Sequence, residues 1–427
     1  MEEKKMLSYR DFEQVVHAAV VNKYGNNPPV QCRLRLENEL EIFRKTKSYE
    51  DIPLLDELFR LAEEDGSEIT GHGYGTSFVH WLLGFTGVNP LPPHHHCEIC
   101  KSTVFYTDGD GWDLPTRYCC GRPMLRDGHS IPCEAILPQQ KNLKQNLKRS
   151  LSFEIARSFA SKAEDAIRTA CAGEFKLVPI ETPVISDDLL KYALIPRNDN
   201  MPEVDEQGIW HTGAIDEQGA WHIDVNDPYV SGYRTVEFHL SDNKERIKAW
   251  KAVAKQNIST EEFLADPVLS VVESRLLARA EKTKHGALLP RSDKLTFGYE
   301  LKLLGYLYRS THEEGAFSGI PLSDTFTSRE EVWDVITKAI KREYGVNNDF
   351  AVKVTRCTRM GMFTNSRMDA WTEQLLVALG IPVHLIEQMK HIYFLPEKAD
   401  LIPRLAESLQ LAWMDLQNDS SAHIQNT

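Results

Sequence analysis

The sequence lacks any apolar run that approaches the roughly eighteen residues needed to cross a membrane. Its first residues, MEEKKMLSYR, lack the apolar core of a secretory signal peptide. Positive charge is also in deficit, because 62 acidic residues outnumber 49 lysines and arginines and give a net charge of −13. We therefore expect a cytoplasmic protein that does not coat nucleic acid over its whole surface, although a local basic groove remains possible.

Cysteine is sparse over most of the chain, and its distribution is uneven. Five of the eight cysteines fall between Cys97 and Cys133. In a cytoplasmic chain, cysteines favour metal binding or free thiols over disulfides. The length of 427 residues allows two or three domains with a substantial core.

The cysteine-rich stretch has the spacing of a zinc site. Cys97 and Cys100 form a Cys-x-x-Cys knuckle, and Cys119 and Cys120 follow after eighteen intervening residues. Two pairs at this separation are typical of a zinc ribbon, in which the second pair is usually also Cys-x-x-Cys. Adjacent cysteines rarely both reach one tetrahedral ion without strain, and a decayed site with buried or free thiols is the alternative. Other candidates for the fourth ligand are Cys133, His96 and His129.

A glycine-rich turn, GHGYGTS at residues 71–77, precedes the cysteines and leads into an apolar run of helical length at 78–85. Glycines let the backbone approach a ligand closely, and threonine or serine is a good helix N-cap. The N-terminus of a helix offers N–H groups and a favourable dipole to an anion. The turn is therefore a candidate phosphate site, and a tight turn before a core helix is the alternative. The candidate phosphate contacts are Gly73, Gly75, Thr76 and Ser77.

Together these segments resemble the polymerase core of the PolC-type bacterial DNA polymerase III family. That family carries a glycine-serine turn, then T-x-V-N-P-L-P-P-H-Y and a four-cysteine module, followed by F-D-L-P, a second cysteine pair and K-D-G-H-D-I-P-F-E. Three stretches match it in the same order, namely TGVNPLPPH at 86–94, WDLP at 112–115 and DGHSIPCE at 127–134. Cys120 falls on the last cysteine of the family, whereas the third would fall at Arg117, with Cys119 as its only nearby substitute.

The resemblance spans roughly residues 30–410 and implies an α+β fold. It predicts a polymerase-like palm with an inserted zinc-ribbon-like module, a thumb-like region and a mostly helical, fingers-like C-terminal region. No nuclease domain, phosphoesterase-like domain or clear clamp-binding peptide is recognisable. The expected segments are a palm-like helical region with the glycine turn (1–90), the zinc-ribbon-like module (91–135), a palm- and thumb-like region with a hairpin repeat (136–285), the helical fingers-like region (286–412) and a disordered tail (413–427).

The main departure from the family concerns its metal-binding carboxylates. Where the family continues with P-D-I-D-L-N-F-S-G, this chain has a basic run at 138–149 and no carboxylate from Ala135 until Glu154. A third aspartate of the family, in L-K-L-D-I-L, is missing from 246–251. Two-metal phosphoryl transfer needs paired carboxylates that hold magnesium. We therefore predict no catalytic residues, and magnesium only if the chain is active.

Basic side chains could still bind a phosphate backbone. The C-terminal region resembles the fingers of the family, in which lysines lie near nucleotide phosphates, but Met360 and Met362 replace two of them. For the basic run at 138–149, a solvated helix face is the alternative. The candidate DNA contacts are Lys141, Lys144, Lys148, Arg149, Arg356 and Arg359.

Local patterns predict several elements. Apolar periodicity indicates helices at 9–23 and 156–171, and Gly66 is a plausible C-terminal cap for another. A strand is expected at 174–184, interrupted by its prolines. A repeat of period eleven, DEQGIWH and DEQGAWH at 205–211 and 216–222, predicts a hairpin turn and a strand in each copy.

Three functions remain open from the sequence. The favoured one is a PolC-like pseudoenzyme with a DNA-binding or regulatory role in replication. The second is an active DNA-directed DNA polymerase with relocated carboxylates such as Asp224, Asp227 or Glu237. The third is an interaction protein that mimics the replicative polymerase. The expected partners are DNA, bound weakly and without sequence preference, or a replication protein, and no membrane.

Overall fold

The chain divides into two compact units. One unit comprises residues 1–87 and 136–257, and the other comprises residues 88–135 and 258–427. In a computed structural model of the protein, the described residues are 7–133, 151–171, 175–181, 188–197, 210–211, 214–215, 221–222, 234–255, 257–282, 295–311, 320–343 and 349–425. Within these ranges, no helix combines the length and the apolar content that crossing a membrane requires.

The described elements establish an α+β fold, as expected from the sequence. The helices are α1 (Tyr9–Tyr24), α2 (Val30–Thr46), α3 (Ile52–Asp65), α4 (Phe78–Leu82), α5 (Ala160–Cys171), α6 (Asp242–Ala254), α7 (Thr260–Phe263), α8 (Asp266–Lys282), α9 (Phe297–Tyr308), α10 (Arg329–Glu343), α11 (Asp349–Arg359), α12 (Ala370–Ala378), α13 (Val383–His391) and α14 (Lys398–Gln425). The strands are β1 (Thr70–Gly71), β2 (His94–His96), β3 (Thr103–Phe105), β4 (Tyr118–Cys119), β5 (Arg122–Pro123), β6 (Leu125–Asp127), β7 (Leu151–Ala156), β8 (Phe175–Glu181), β9 (Leu189–Pro196), β10 (Trp210–His211), β11 (Ala214–Ile215), β12 (Trp221–His222), β13 (Arg234–Ser241), β14 (Ser310–Thr311) and β15 (Ile392–Phe394).

The first unit is built on a six-stranded sheet with the order β1-β7-β13-β9-β8-β10. Strand β7 pairs in parallel with β13 and antiparallel with β1. One face of the sheet is apolar, and there the ring of Phe153 stacks on those of Tyr74 and Phe238. Helix α5 covers this face, since Glu164 of α5 accepts a hydrogen bond of 2.8 Å from the hydroxyl of Tyr192 in β9. The opposite face presents the polar side chains of β7 and β13.

The second unit begins with a small antiparallel sheet of order β3-β2-β6, beside which β4 and β5 form a hairpin. Most of the other described residues of this unit are helical, and the short strands β14 and β15 pair antiparallel. One apolar core of this unit is formed by α10 to α13 and β15, where Val332, Ile336, Val354, Leu376 and Met389 are buried.

Two expectations about helices are wrong. The apolar run at 78–85 forms only the five-residue helix α4, because Leu83 closes the last turn and Gly84, with a φ of 82°, ends it. The expected disordered tail from 413 is also wrong, since α14 runs to Gln425. Trp413 and Met414 are buried, and Asp415 pairs with Arg275 of α8 at 2.9 Å. An apolar stripe in α14 continues past residue 412 and holds the helix against its neighbours.

Candidate metal centre and candidate nucleic-acid contacts

The four candidate thiols come together in the second unit. Cys97 follows β2, Cys119 ends β4, and Cys120 lies in the turn between β4 and β5. The knuckle is closed by a hydrogen bond of 2.8 Å from the N–H of Lys101 to the carbonyl of Cys97. Lys101 takes a positive φ of 62°, which turns the chain back toward β3. The knuckle and the hairpin therefore present their sulfur atoms to one point.

The geometry of the sulfur atoms suits a tetrahedral ion. The four Sγ atoms all lie within 4.8 Å of one another. The Sγ of Cys119 is 3.5 Å from that of Cys100 and 3.9 Å from that of Cys120. A tetrahedral zinc ion with zinc–sulfur bonds of about 2.3 Å would separate its ligands by about 3.8 Å. Four thiols at these distances could hold a metal ion such as zinc.

Adjacent cysteines both reach this site because the turn between β4 and β5 is left-handed. Cys120 has a φ of 50° and Gly121 a φ of 75°. A left-handed conformation costs a residue with a side chain about 1 kcal/mol. The strain expected from the sequence is therefore located at Cys120, and it is small compared with the binding of a metal.

The thiols differ in acidity before any metal binds. The backbone N–H groups of Cys100 and Ile99 lower the pKa of the Cys97 thiol to about 7. Hydrogen bonds with the thiols of Cys100 and Cys97 raise the pKa of Cys119 to about 12. Because a metal takes its cysteine ligands as thiolates, binding would release the remaining protons.

The other three candidate ligands have different surroundings. His96 Nδ1 lies 2.9 Å from the hydroxyl oxygen of Thr103, and His129 Nδ1 lies 3.0 Å from the carboxylate of Asp110. Cys133 is buried. None of the three joins the thiols in the group of ligand atoms that could share a metal within the described part of the chain.

The motifs that carry the resemblance contact one another through the backbone. The N–H groups of His129, Ser130 and Ile131 donate to the carbonyls of Asn89, Leu91 and Pro90 at 3.0 Å each. Gly128 lies between these segments with a φ of 96°, and a Cβ atom there would meet the Pro92 carbonyl oxygen at 2.2 Å. The two motifs therefore form one structural unit, and only glycine fits at position 128.

A buried charged centre lies beside these motifs. Lys398 Nζ is 3.4 Å from the Asp110 carboxylate and donates to the carbonyl of His129 at 2.7 Å. Burial opposes ionisation of Asp110, but the charges of His129 and Lys398 outweigh it and lower the pKa of Asp110 to about 2. In the WDLP motif, Asp113 accepts hydrogen bonds from the N–H groups of Phe297 and Gly298 at 2.7 and 2.8 Å. The motif aspartate thus caps α9.

The glycine turn in the first unit is engaged by an internal carboxylate. Glu39 of α2 is buried and accepts hydrogen bonds from the N–H groups of Phe78 and Val79 at 2.8 and 3.0 Å. The hydroxyl of Ser77 also donates to Glu39, at 2.8 Å, and accepts from the N–H of His80, as an N-cap should. The N–H and O–H donors at the start of α4, where the sequence predicts a phosphate site, therefore bind Glu39 instead.

The remaining turn residues are largely enclosed. Gly75 and Thr76 are buried, and the Thr76 hydroxyl donates to the carbonyl of Gly73 at 2.7 Å. Arg35 pairs with Glu39 and donates to the carbonyl of Thr76. A phosphate role for Gly73, Gly75, Thr76 and Ser77 stays a prediction.

The polar face of the sheet in the first unit lies where β7 and β13 run side by side. Their register places Ser152 beside Glu237, and Glu154 beside His239. The hydroxyl of Ser152 lies 3.1 Å from His239 Nε2, and Glu237 forms an ion pair of 2.8 Å with Lys191. Glu154 therefore lies in β7 on the polar face of the sheet. The sequence did not indicate this position, because the family motif P-D-I-D-L-N-F-S-G is not present before it.

The candidate DNA contacts are only partly placed. Lys141, Lys144, Lys148 and Arg149 lie outside the described residues, as do the proposed relocated carboxylates Asp224 and Asp227. Arg356 and Arg359 lie in the last turn of α11. The Arg359 guanidinium forms an ion pair with the Glu397 carboxylate, which Arg329 also contacts, at 2.7 Å.

Comparison with curated proteins gives relatives named as PolC-type DNA polymerase III. The chain is 39% identical over 121 residues to such a protein from Streptococcus pyogenes, a match that covers 27% of this chain and 8% of that protein. The relative from Thermotoga maritima has the same identity over the same length, which is 9% of that protein. No family model matches the chain. The chain is therefore similar to these polymerases over about a quarter of its own length, and this match spans less than a tenth of theirs.

Proposed function

We propose that the chain is a nucleic-acid-binding relative of PolC-type DNA polymerase III that has lost nucleotidyl transfer and has a DNA-binding or regulatory role in replication. The observation that carries this proposal is the identity of 39% over 121 residues to polymerases of that name. Because the match covers less than a tenth of those proteins, the proposed role is binding and does not extend to their whole activity.

The arrangement of carboxylates supports the loss of catalysis. Within the described ranges, the four thiols are the only group of three or more histidine, cysteine or acidic side chains placed to hold one metal ion. Two-metal phosphoryl transfer needs carboxylates around two ions about 4 Å apart. On the polar face of the sheet, Glu237 is paired with Lys191 and His239 with Ser152, which favours a structural use of these groups.

The proposed metal is a single structural zinc ion held by Cys97, Cys100, Cys119 and Cys120. A closed shell of four thiolates leaves no open coordination position, so such an ion would have no catalytic role. It would stabilise the positions of the knuckle and the hairpin. The sulfur–sulfur distances of 3.5 and 3.9 Å support this assignment.

The proposed DNA contacts touch phosphates and carry no sequence information. Such binding weakens steeply with salt, by a log–log slope of about 0.9 for each phosphate neutralised on a duplex. The net charge of −13 opposes it, so we expect dissociation constants in the micromolar range at physiological salt, about the level of non-specific binding. The candidates are the basic run at 138–149 with Arg356 and Arg359 of α11, and binding through Arg359 would compete with its ion pair to Glu397.

The test combines binding and extension on a primed duplex. Fluorescence anisotropy at low salt should show binding, and the Lys144→Glu/Lys148→Glu variant should lose most of it. The exposed pair Lys176→Glu/Lys255→Glu makes the same change in charge and serves as the control. Primer extension with magnesium should stay at background. If the duplex does not bind, or the double reversal changes neither affinity nor salt slope, a protein partner becomes the better proposal.

A second candidate is nucleotidyl transfer by relocated carboxylates. The observation that favours it is the placement of Glu154 and Glu237 on the same face of the sheet, in neighbouring strands. Template-dependent extension by the purified protein, abolished by Glu237→Gln, Asp224→Asn or Asp227→Asn, would replace the first proposal with this one.

A further inference from the structure

Two of the clustered thiols are close together and open to solvent. Cys100 is exposed and Cys119 is partly exposed, and their Sγ atoms lie 3.5 Å apart. The first belongs to the knuckle after β2, and the second ends β4 in the β4–β5 hairpin. A covalent bond between these two sulfur atoms would therefore join two separate segments of the second unit.

The distance between these sulfur atoms suits a disulfide. A disulfide bond is about 2.05 Å long, so the two atoms need to approach by about 1.5 Å, which small rotations of two side chains in turns can supply. The adjacent pair Cys119 and Cys120 is less suitable, because consecutive Cα atoms are about 3.8 Å apart and disulfides span about 4.4–6.8 Å. Cys97 lies within 4.8 Å of the other sulfur atoms and is the competing partner, but it is only 3% exposed.

We propose that Cys100 and Cys119 form a site of reversible oxidation, at which a peroxide converts the two thiols into a disulfide. A solvent-accessible cysteine beside a second cysteine that resolves its oxidised form is the arrangement of redox-sensing sites. The inference goes beyond the proposed function, because it requires neither nucleic acid nor nucleotidyl transfer.

The reaction proceeds in two balanced steps. The Cys100 thiolate attacks one oxygen of hydrogen peroxide, the O–O bond breaks, and the products are a sulfenic acid on Cys100 and hydroxide. The Cys119 thiolate then attacks the Cys100 sulfur, the S–S bond forms, and the sulfenic oxygen leaves as a second hydroxide. Each hydroxide takes a proton that one of the thiols has released. The two thiols thus lose two electrons, and the peroxide is reduced to two molecules of water.

The disulfide and the proposed metal ion exclude each other. A metal takes its cysteine ligands as thiolates, and the bond between Cys100 and Cys119 removes two of the four. The two remaining thiols, Cys97 and Cys120, would hold zinc much more weakly than a complete set. Oxidation should therefore release the ion, and reduction of the exposed disulfide by a small thiol should restore the complete set of ligands.

The test treats the full-length protein with hydrogen peroxide, after it has been purified without chelator, reduced and freed of reductant. The mass of the intact chain should fall by about 2 Da as two thiol hydrogens are lost. Trypsin cleaves after Lys101 and Arg117, so a disulfide between Cys100 and Cys119 holds two tryptic peptides together. A bond within the knuckle, or one between the adjacent cysteines, stays inside a single peptide. The linked peptides should be the main oxidised product and should separate on reduction.

Single substitutions identify the two sulfur atoms. Cys100→Ser and Cys119→Ser should lose the linked peptides, whereas Cys120→Ser should keep them. Cys357→Ser removes a partly exposed cysteine outside the group of four and is the control, so it should react as the native protein does. In the native protein, a chromogenic chelator should detect about one zinc ion released for each disulfide formed.

Two outcomes overturn the inference. One is that peroxide leaves the thiols unchanged, or oxidises them to sulfinic acids without forming the linked peptides. The other is that the linked peptides persist in Cys119→Ser, which would assign the bond to Cys120. Protein that contains no zinc still tests the inference, since the disulfide is detected by mass. Duplex binding is measured on the reduced protein, so a failure of the proposed function would leave this inference standing.

Discussion

The Nδ1 atom of His129 lies 3.0 Å from both carboxylate oxygens of Asp110, and the two residues are 0% and 4% exposed. Lys398 of α14 contacts the same carboxylate. One buried acid thus connects the segment after the cysteines with the C-terminal helix of the second unit. A buried charge of this kind is tolerated only while its partners remain in place.

Replacing Asp110 by asparagine should therefore destabilise the second unit by about 3 kcal/mol, because it leaves Lys398 and His129 without their shared carboxylate. Chemical denaturation followed by circular dichroism measures this change. Asp108→Asn is the control, since its side chain is 81% exposed and should shift the free energy of unfolding by less than about 0.5 kcal/mol. Equal stabilities of the two variants would contradict this account of the centre.

The same carboxylate should contribute to acid unfolding. In the folded protein its pKa is lowered from 3.8 to about 2, so the folded state releases this proton more readily than the unfolded state. The resulting stability is present above about pH 4 and is lost as the pH falls toward 2. Asp110→Asn should remove this part of the pH dependence in denaturation curves recorded across that range.

Glu300 of α9 gives a pH dependence of the opposite sign. It is 0% exposed, and neither carboxylate oxygen has a hydrogen-bond partner in the described part of the chain. Burial, with the charges of Glu273 and Asp113, raises the pKa of Glu300 from 4.5 to about 9. The folded state therefore holds a proton that the unfolded state has released, and stability falls as the pH rises from 4.5 to 9.

Glu300→Gln should raise the free energy of unfolding at pH 7, by up to about 3 kcal/mol, since the amide is neutral in both states. Urea denaturation between pH 5 and pH 8 measures this increase in the free energy of unfolding. The same curves show whether the free energy of unfolding depends less on pH in the variant. Glu261→Gln, whose side chain is 71% exposed, should leave the profile unchanged. An unaltered slope in Glu300→Gln would mean that this carboxyl is ionised in the folded protein.

The metal prediction can be checked by elemental analysis of protein purified without chelator. About one zinc per chain is expected, and Cys100→Ser or Cys119→Ser should lose it, because three thiolates bind the ion much more weakly than four. Cys133→Ser and Cys357→Ser should retain it, since neither sulfur belongs to the group of four. Protein without zinc would show that the thiols are a relic of a metal site.

Glu39 should be essential for the glycine turn. Glu39→Ala leaves the N–H groups of Phe78 and Val79 without their acceptor and Arg35 without its partner, at a cost of about 3 kcal/mol to the first unit. Glu37 is exposed on the same helix, so Glu37→Ala is the matched control. Thermal unfolding and protease sensitivity of the two variants should differ clearly. If they agree, the turn does not depend on this carboxylate.

The sequence predicts those parts of the fold that depend on local patterns. The stripe at 9–23 became α1, and Gly66, with a φ of 69°, caps α3 as expected. The strands predicted at the two Trp-His pairs of the repeat are β10 and β12. The expected strand at 174–184 is β8, which continues through Pro179. In each case neighbouring residues along the chain determine the structure.

Contacts between residues that are distant along the chain could not be predicted from the sequence. Glu39 meets its partners about forty residues away, at positions 77 to 79, and Asp110 meets Lys398 across the length of the second unit. A signal for Glu39 did exist, since it lies within the apolar stripe of α2 between Leu36 and Leu40, both of which are buried. A charged side chain at a core position requires partners, and the sequence alone does not say where they are.

For the candidate site, cysteine spacing predicted which sulfur atoms converge but not that both members of an adjacent pair would do so. That depends on the left-handed backbone of Cys120, which the sequence indicates only through Gly121.

The interleaved path of the chain has a consequence for its synthesis. Residues 88–135 belong with 258–427, yet the intervening stretch belongs to the other unit. Asp113 precedes its hydrogen-bond donor Phe297 by 184 positions, and His129 precedes Lys398 by 269. At about 5–20 residues per second, the ribosome delivers these partners roughly 10–50 s later. The nascent cysteine segment must therefore remain hydrated around Asp110 during that interval, so that water leaves this centre only after Lys398 has been synthesised.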